Sequence, residues 1–224
     1  GSVAANIVII NPKNAKFLLV AALLALSCRD RELAKSKSES LRIAFGSCLD
    51  QNKAAPFWQA MTADKPRVFL FLGDTVYADG EDMQAKRAAY MKLTKSPGFR
   101  SMKAMGQIWA MWDDHDYGYN DAGVAYKAKV ESQQVFLDAF EEPADSPRRK
   151  QRGIYFSAEM LAENLRVQFI FPDLRYSRTE WKKGTPTELY SDTHVVDDSP
   201  DATMLGDAQW HWLTKVLTRP ADLR

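Results

Sequence analysis

The stretch RVFLFLGDTVY, residues 67–77, decides the fold of this chain. Its apolar residues, 68–72, follow one another without alternating polar positions, which predicts a β-strand that is covered on both faces, as in α/β proteins. Gly73 and Asp74 end the run and indicate a turn. The stretch therefore predicts a buried strand that carries a carboxylate at its carboxyl end.

Segments with strand and helix patterns alternate on both sides of this strand. Strands are predicted over residues 41–46, 107–112, 154–158 and 165–171, and helices over residues 54–61, 82–94, 124–140 and 207–217. The last two strands lie close enough along the chain to form a hairpin. In the last helix, Trp210, Leu213 and Leu217 fall on one stripe, which predicts its buried face. This alternation favours an α/β fold.

The composition is that of a folded protein with little net charge. The chain has 224 residues, of which 46% are hydrophobic, which is too many for a disordered chain. Its 30 Lys and Arg nearly balance 29 Asp and Glu, and the net charge of +1 argues against nucleic-acid binding through an overall positive field. Two cysteines exclude a disulfide framework and a four-cysteine zinc site. Since there are three histidines, any metal site must depend mainly on oxygen ligands.

An apolar run near the N-terminus, FLLVAALLALS at residues 17–27, follows two lysines and precedes Cys28. The run is shorter than the ~20 residues of a transmembrane helix. It is typical of a secretory signal peptide, with a buried core helix as the alternative. The ending ALSC resembles a bacterial lipobox, in which the cysteine is lipidated. We therefore expect a signal peptide or lipoprotein leader with a polar tether over residues 1–40, and one domain over residues 41–224. The expected location is secreted or periplasmic, with Cys28 as a membrane anchor.

Two groups of acidic residues follow predicted strands without basic residues to compensate them. The first comprises Asp74, Asp79, Glu81 and Asp82, and the second comprises Asp113, Asp114, Asp116 and Asp121, around His115. Carboxylates at the ends of buried strands repel one another and lose solvation unless a cation joins them. Ligand sites of open α/β sheets lie at those strand ends. The pattern predicts a metal site; solvated acidic turns are the alternative, and the better explanation for Glu81 and Asp82.

Several motifs carry a resemblance to one family. Residues 73–77, GDTVY, match the GDxxY motif of the calcineurin-like metallophosphatases. In the order expected for the alkaline phosphatase D (PhoD-like) branch stand FGSC at residues 45–48, WDDHDYG at 112–118, FPDLRY at 171–176 and DAQWHWL at 207–213. The chain resembles this branch from about residue 41 to its last residue. The resemblance implies a metallophosphatase-like β-sandwich flanked by helices and incomplete at the C-terminus.

The resemblance also implies a set of metal ligands. Asp74 would bridge two metal ions, with Cys48 and Tyr77 as further ligands on one side and Asp114 as a ligand in place of the family's asparagine. A thiolate and a phenolate beside oxygen ligands favour an unlike pair, Fe3+ and Ca2+, with Zn2+ or Mn2+ as alternatives. A small buried hydrophobe is the alternative for Cys48.

A catalytic role for the second acidic group follows from the same resemblance. His115 would lie outside the metal shell and protonate the leaving oxygen, while Asp116 would orient its imidazole. Asn120 and Arg175 would lie near the substrate phosphate; for Arg175, a structural ion pair with Asp173 is the alternative. The implied reaction is hydrolysis of a phosphate monoester or diester by a metal-bridging hydroxide.

Other features limit this interpretation. The family's later histidine turn, GDxH or GHxH, is missing, and His194 and His211 are not predicted as ligands. The expectation is therefore a truncated protein whose activity is uncertain. A catalytically silent remnant that binds metal or phosphate is the alternative.

A serine hydrolase that uses Ser47 has little support, because the second glycine of a nucleophile elbow is missing. The substrate is not predicted, and residues 176–206 are the expected specificity loop.

Overall fold

The computed structural model describes residues 5–10, 40–185 and 194–224. The predicted signal peptide at residues 17–27 and the anchor residue Cys28 lie outside the described residues, so the leader, the anchor and the secreted location stay predictions. Among the helices of the described ranges, none has both the length and the apolar character needed to cross a membrane.

The described residues form strands and helices in the alternating order that the sequence predicts. The strands are β1 Ala5–Ile10, β2 Leu41–Gly46, β3 Val68–Leu72, β4 Gln107–Met111, β5 Phe156–Ala162 and β6 Leu165–Phe171. The α-helices are α1 Phe57–Ala63, α2 Met83–Thr94, α3 Pro97–Met105, α4 Asp114–Tyr117, α5 Lys129–Ala139 and α6 Asp207–Leu217, and a 3-10 turn spans Pro147–Arg149. The α/β class is thus confirmed.

A four-stranded sheet in the order β1-β2-β3-β4 positions the candidate site. Strands β2, β3 and β4 run parallel, in a register that pairs Phe45 with Leu70 and Leu70 with Trp109. Their carboxyl ends therefore meet at one edge of the sheet. Strand β1 pairs antiparallel with β2. It is not among the predicted elements, because its residues fall within the segment assigned to the leader.

One face of the sheet packs against helices through aromatic rings. Phe69 and Phe71 of β3 lie 4.7 Å apart, measured between ring centroids. Trp58 of α1 lies 5.6 Å from Phe69, and Phe99 of α3 stacks on Phe71 at 6.0 Å. All four side chains belong to the main hydrophobic core. Aromatic side chains bury a large apolar area each, so this cluster fixes the helices on the sheet.

The hairpin of β5 and β6 covers the opposite face of the sheet. Val68 belongs to an apolar cluster with Ala162 and Val167 of the hairpin. The ring of Trp109 in β4 lies 4.8 Å from Phe169. Strand β3 is therefore covered on both faces, as its continuous apolar run predicts, except at its last residue, Leu72, which is 47% exposed. The expected β-sandwich is not confirmed, because within the described ranges the second sheet has two strands.

Helix α3 is not among the predicted elements, although local signals for it are present. Its sequence begins with Ser96, Pro97 and Gly98, a combination that is typical of a turn. In the structure, the Ser96 hydroxyl accepts the N–H of Phe99 at 3.3 Å as an N-cap. Pro97 occupies the start of the helix, where its missing N–H would have had no helical partner. These residues therefore begin a helix here.

Helix α6 does not bury the stripe of Trp210, Leu213 and Leu217, so the prediction of its buried face was wrong. Trp210 and Leu217 are 53% and 48% exposed, whereas Gln209 and Val216 are buried. The amide of Gln209 donates to the carbonyl oxygen of Asp173 at 2.8 Å and accepts the N–H of Asp173 at 2.6 Å. A buried polar side chain must find hydrogen-bond partners. These two hydrogen bonds to the loop after β6 therefore set the rotation of the helix.

Gly98 lies where α3 crosses α1, and replacing it with alanine tests this contact. A Cβ atom there would lie 2.2 Å from Cγ of the Trp58 indole. We expect Gly98→Ala to lower the free energy of unfolding by roughly 1–3 kcal/mol, since overpacking outweighs the gain in helix propensity. Urea denaturation measures this change. Ser101→Ala, at an exposed position of the same helix, should change stability by less than ~0.5 kcal/mol; an equal loss in both variants would contradict the contact.

Candidate metal centre

The turns that follow β2, β3 and β4 touch one another at the carboxyl edge of the sheet. The N–H of Cys48 donates to the carbonyl oxygen of Gly73 at 3.2 Å, and the N–H of Leu49 donates to that of Asp74 at 2.8 Å. A Cβ atom on Gly73 would lie 2.5 Å from the Cβ of Asp113. The close approach of these turns therefore requires a glycine, and it creates a surface where ligand sites of α/β sheets lie.

Left-handed backbone conformations mark three polar residues of these turns. Cys48 has φ +59°, Asp74 has φ +51° and Asp121 has φ +59°. A non-glycine residue pays a steric cost in this region, and such strain concentrates at functional sites. The surrounding hydrogen bonds hold Cys48 and Asp74 in conformations that present their side chains at the strand ends.

The carboxylates of Asp74 and Asp114 converge, as the sequence predicts. The backbone N–H of His115 donates to Oδ1 of Asp74 at 3.4 Å and to Oδ1 of Asp114 at 3.1 Å. One side-chain ligand atom from each of Asp74, Asp114 and His115 can be chosen so that all lie within 4.8 Å of one another. Two acidic turns that are 40 residues apart in sequence therefore meet in a group with the spacing of a metal site.

The second oxygen of Asp74 faces a different set of donors. The Sγ atom of Cys48 lies 3.7 Å from Oδ2 of Asp74, and the phenolic oxygen of Tyr77 lies 3.5 Å from the same atom. The structure thus brings together the predicted ligands Cys48, Asp74, Tyr77 and Asp114. Asp74 stands between the pair Cys48 and Tyr77 on one side and the pair Asp114 and His115 on the other.

Charge repulsion is concentrated on Asp74. The residue is 8% exposed, and burial, together with the nearby carboxylates of Asp116, Asp114 and Asp113, raises its pKa to about 6. Burial also raises the pKa of the Tyr77 hydroxyl well above its usual value, and the charge of Asp74 adds to this shift. Burial is thus the main cause of both shifts, and the neighbouring negative charge adds to it.

The other carboxylate of the pair is held in its charged form. Burial opposes ionisation of Asp114, but a hydrogen bond from the N–H of Asp121 at 2.7 Å and the guanidinium of Arg175 lower its pKa overall. Asp114 is therefore held in its charged form beside Asp74, the carboxyl group whose pKa is raised. A set of carboxylate oxygens, an imidazole, a thiol and a phenol fits the ligand preferences of transition metals, so the residues present suit the metal ions that the motifs imply.

The imidazole of His115 has a partner that the sequence did not indicate. Its Nδ1 lies 2.7 Å from Oδ1 of Asp79, and its ring lies 4.5 Å from the ring of Tyr77. Burial opposes the charged imidazole, but the hydrogen bond and charge of Asp79 raise the pKa of His115 overall. The prediction that Asp116 orients this ring was wrong. One indication in the sequence that Asp79 lies near the site was its place in the first uncompensated acidic group.

Asp116 instead ties the two acidic turns together. It is fully buried, and its Oδ1 accepts the N–H groups of Thr75 at 2.8 Å and of Val76 at 3.0 Å. Its Oδ2 accepts the N–H of Asp113 at 3.0 Å. The buried Lys86 donates from Nζ to the carbonyl oxygen of Asp116 at 2.7 Å. Asp116 therefore joins the turn after β3 to the turn after β4.

The two predicted phosphate contacts lie at the margin of the group. Arg175 forms ion pairs through Nε with Asp113 and through a terminal nitrogen with Asp114 at 3.7 Å. The buried carboxylate of Asp173 accepts the backbone N–H of Arg175 at 2.9 Å, so the alternative ion pair with Asp173 gives way to pairs with Asp113 and Asp114. Asn120 is exposed and donates to the carboxylate of Asp121 at 2.9 Å. Phosphate binding by either residue stays a prediction.

The described residues form a mixed α/β fold that is also found in a solved structure. A solved structure described as "Structure of PhoD" matches the chain with a TM-score of 0.57 and 20% sequence identity. The match covers 78% of this chain and 38% of the PhoD chain, so the sequence spans less than half the length of that protein. The motif resemblance to the PhoD fold is thereby confirmed. No protein-family model matches the sequence, and no curated protein matches it.

Replacing Asp74 with asparagine separates repulsion from metal binding. Because the pKa of Asp74 is raised to about 6, its contribution to stability is present below its usual value near 4 and is lost as the pH rises through 6. We expect metal-free Asp74→Asn to be more stable than the unmodified protein at pH 8, with a gain that shrinks towards pH 5. Thermal unfolding with and without Mn2+ measures both effects.

The same variant should lose the rise in melting temperature that Mn2+ gives the unmodified protein, since an amide is a poorer ligand than a carboxylate. Binding at about 100 times Kd stabilises a folded protein by roughly 2.7 kcal/mol. Asp201→Asn, at an exposed position, is the control and should respond to Mn2+ as the unmodified protein does. A full response to Mn2+ in Asp74→Asn would refute the role of Asp74 as a ligand.

Replacing Lys86 with methionine tests the support beneath the site. Nζ of Lys86 also lies 3.4 Å from the carbonyl oxygen of His115, and burial lowers the pKa of Lys86 to about 8. Methionine removes the charged donor from both carbonyl groups, so we expect a loss of roughly 2 kcal/mol in the free energy of unfolding and a weaker response to Mn2+. Lys95→Met, at an exposed position, should change neither quantity. Unaltered stability in Lys86→Met would contradict this role.

Proposed function

We propose that the chain is the catalytic portion of a metal-dependent phosphoric ester hydrolase that acts on phosphate monoesters or diesters. The observation that carries the proposal is the position of Asp74, whose two oxygens contact two different donor sets. One carboxylate between two ligand sets can offer an oxygen to each ion of a two-metal site. The likeness to the PhoD fold supports phosphate esters as the substrate class.

The proposed ligands divide into two unlike groups. Cys48 and Tyr77 would hold one ion together with Oδ2 of Asp74, and a thiolate with a phenolate suits Fe3+. Asp114 would hold the second ion with Oδ1 of Asp74, and carboxylate oxygens suit Ca2+. Zn2+ or Mn2+ are the alternatives. When bound, such ions neutralise phosphoryl oxygens and lower the pKa of a coordinated water.

The residues of the chain would supply orientation and a proton. We assign His115 as the donor of a proton to the leaving oxygen, because the partner Asp79 raises its pKa and holds Nδ1. Nε2 is then the nitrogen that serves the substrate. Asp79 would act as a positioning residue that fixes the ring. Asp116 would hold the two turns in register, and Arg175 would hold Asp113 and Asp114 in place.

Hydrolysis of p-nitrophenyl phosphate and bis(p-nitrophenyl) phosphate by the metal-reconstituted protein tests this function. We expect turnover that disappears on chelation and returns with added metal. His115→Gln should lower kcat by about 10²–10⁴-fold, the usual contribution of a proton donor. Asp79→Asn should lower kcat less and shift the upper pH limit of kcat downwards, because the imidazolium loses its anionic partner. His211→Gln, at an exposed position, is the control.

Metal content, measured for each variant, separates chemistry from metal loss. Stoichiometric metal without hydrolysis of either ester would refute the enzyme and favour a silent metal-binding protein. Turnover that does not depend on metal would refute the two-metal site. A kcat for His115→Gln equal to that of the unmodified protein, with metal retained, would remove His115 from the proposed reaction.

A further inference from the structure

A cleft of about 550 Å3 opens directly beside the candidate metal centre. It lies between the loop that follows β2, the start of α1 and the side chain of Tyr77. This volume is within the range of roughly 300–1,000 Å3 that small-molecule sites occupy in proteins. The cleft is therefore large enough for part of a substrate whose phosphate lies at the metal centre.

The cleft and the metal centre share two residues. Cys48 and Tyr77 line the cleft, and both contact Oδ2 of Asp74, at 3.7 Å and 3.5 Å. A group bound in the cleft would therefore lie directly next to the candidate ligands Cys48 and Tyr77. In an ester whose phosphate is held by metal ions at Asp74, the alcohol part is the portion that would extend into this space.

Backbone contacts hold the cleft in a fixed position relative to the site. The Gln51 side-chain amide donates from Nε2 to the carbonyl oxygen of Tyr77 at 2.9 Å and accepts the N–H of Tyr77 at 2.9 Å. The N–H of Leu49 donates to the carbonyl oxygen of Asp74 at 2.8 Å. Because both walls are joined to the turn that carries Asp74, the cleft is preorganised, and preorganised sites lose less entropy on binding.

One part of the cleft lining is apolar and aromatic, and the polar residues Asp50, Asn52 and Lys53 line the rest together with Cys48. Leu49, Ala54, Pro56 and Phe57 contribute apolar surface, and Tyr77 contributes its ring. Phe57 is only partly buried and lies 4.9 Å from Trp58, measured between ring centroids. Partly exposed aromatic rings beside a polar centre favour a flat apolar ligand, which gains both from burial and from contacts between rings.

We propose that this cleft binds the alcohol part of the substrate and makes the enzyme selective for phosphate esters of aromatic alcohols. The inference rests on the proposed function, because it assigns the phosphate to the metal centre. It goes further by naming the residues that select the ester and the class of leaving group they accept. Phe57 is the principal specificity residue, and Ala54 lines the same cleft at an exposed position.

Binding of phenylphosphonate and methylphosphonate to the metal-reconstituted protein tests the subsite without turnover. The two probes share the phosphonate group and differ in the ring, so the ratio of their Kd values reports on the cleft. We expect phenylphosphonate to bind about tenfold more tightly, as an aromatic contact of this kind allows. Phe57→Leu, which keeps an apolar side chain but removes the ring, should reduce the ratio to about two- to threefold.

Ala54→Trp provides a second variant at an exposed position, so the test does not depend on the partly buried Phe57. Its bulk should fill the cleft and remove the preference for phenylphosphonate, while the Kd of methylphosphonate stays the same. Ala63→Trp, at the exposed end of helix α1 and not among the residues that line the cleft, is the matched control and should keep the tenfold ratio.

The outcomes distinguish the subsite from the proposed function. Equal affinity for the two phosphonates, or an unchanged ratio in Phe57→Leu and Ala54→Trp, would overturn the subsite and leave the hydrolase proposal standing. If neither phosphonate binds while the metal is retained, the phosphate site itself is absent, and the proposed function fails together with the subsite.

Discussion

Burial of carboxylates that the fold forces together governs the carboxyl edge of this sheet. Asp74 is 8% exposed and shares the backbone N–H of His115 with Asp114. The two carboxylates follow β3 and β4, which are neighbouring parallel strands, so they cannot separate without disturbing the sheet. Burial, together with the neighbouring carboxylates, raises the pKa of Asp74 to about 6. A bound cation is the simplest means of neutralising this charge, and the ligand types beside Asp74 suit one.

Two buried acids of the same cluster differ in their hydrogen bonds, and the difference supports the roles proposed for them. Asp116 accepts N–H groups at 2.8–3.0 Å from both acidic turns and lies next to the buried Lys86. Asp74 has a weaker set of partners in the described residues: one N–H at 3.4 Å, a thiol and a phenol. A fully hydrogen-bonded carboxylate supports structure, whereas an anion that lacks strong donors has oxygens to offer a ligand. This contrast separates the positioning residue from the proposed metal ligand.

Local patterns carried much of the fold in the sequence, and long-range contacts account for what they missed. The apolar run at residues 68–72 sufficed to predict a strand buried on both faces, and the uncompensated acids sufficed to predict that Asp74 and Asp114 meet. The partner of His115 was not predictable, because the loop that brings Asp79 to the ring has no periodic pattern. The rotation of α6 was missed for a related reason: a polar contact of Gln209 with a distant loop outweighs the apolar stripe.

The central place of Asp74 also has a thermodynamic consequence for any pair of ions bound on its two sides. Because a single carboxylate would serve both positions, occupancy of one changes the charge and the orientation available to the other. The two affinities are then linked, and linkage of binding free energies is reciprocal. If the first cation changes the affinity for the second by some factor, the second changes the affinity for the first by the same factor. The two positions would then fill cooperatively or anticooperatively, and not independently.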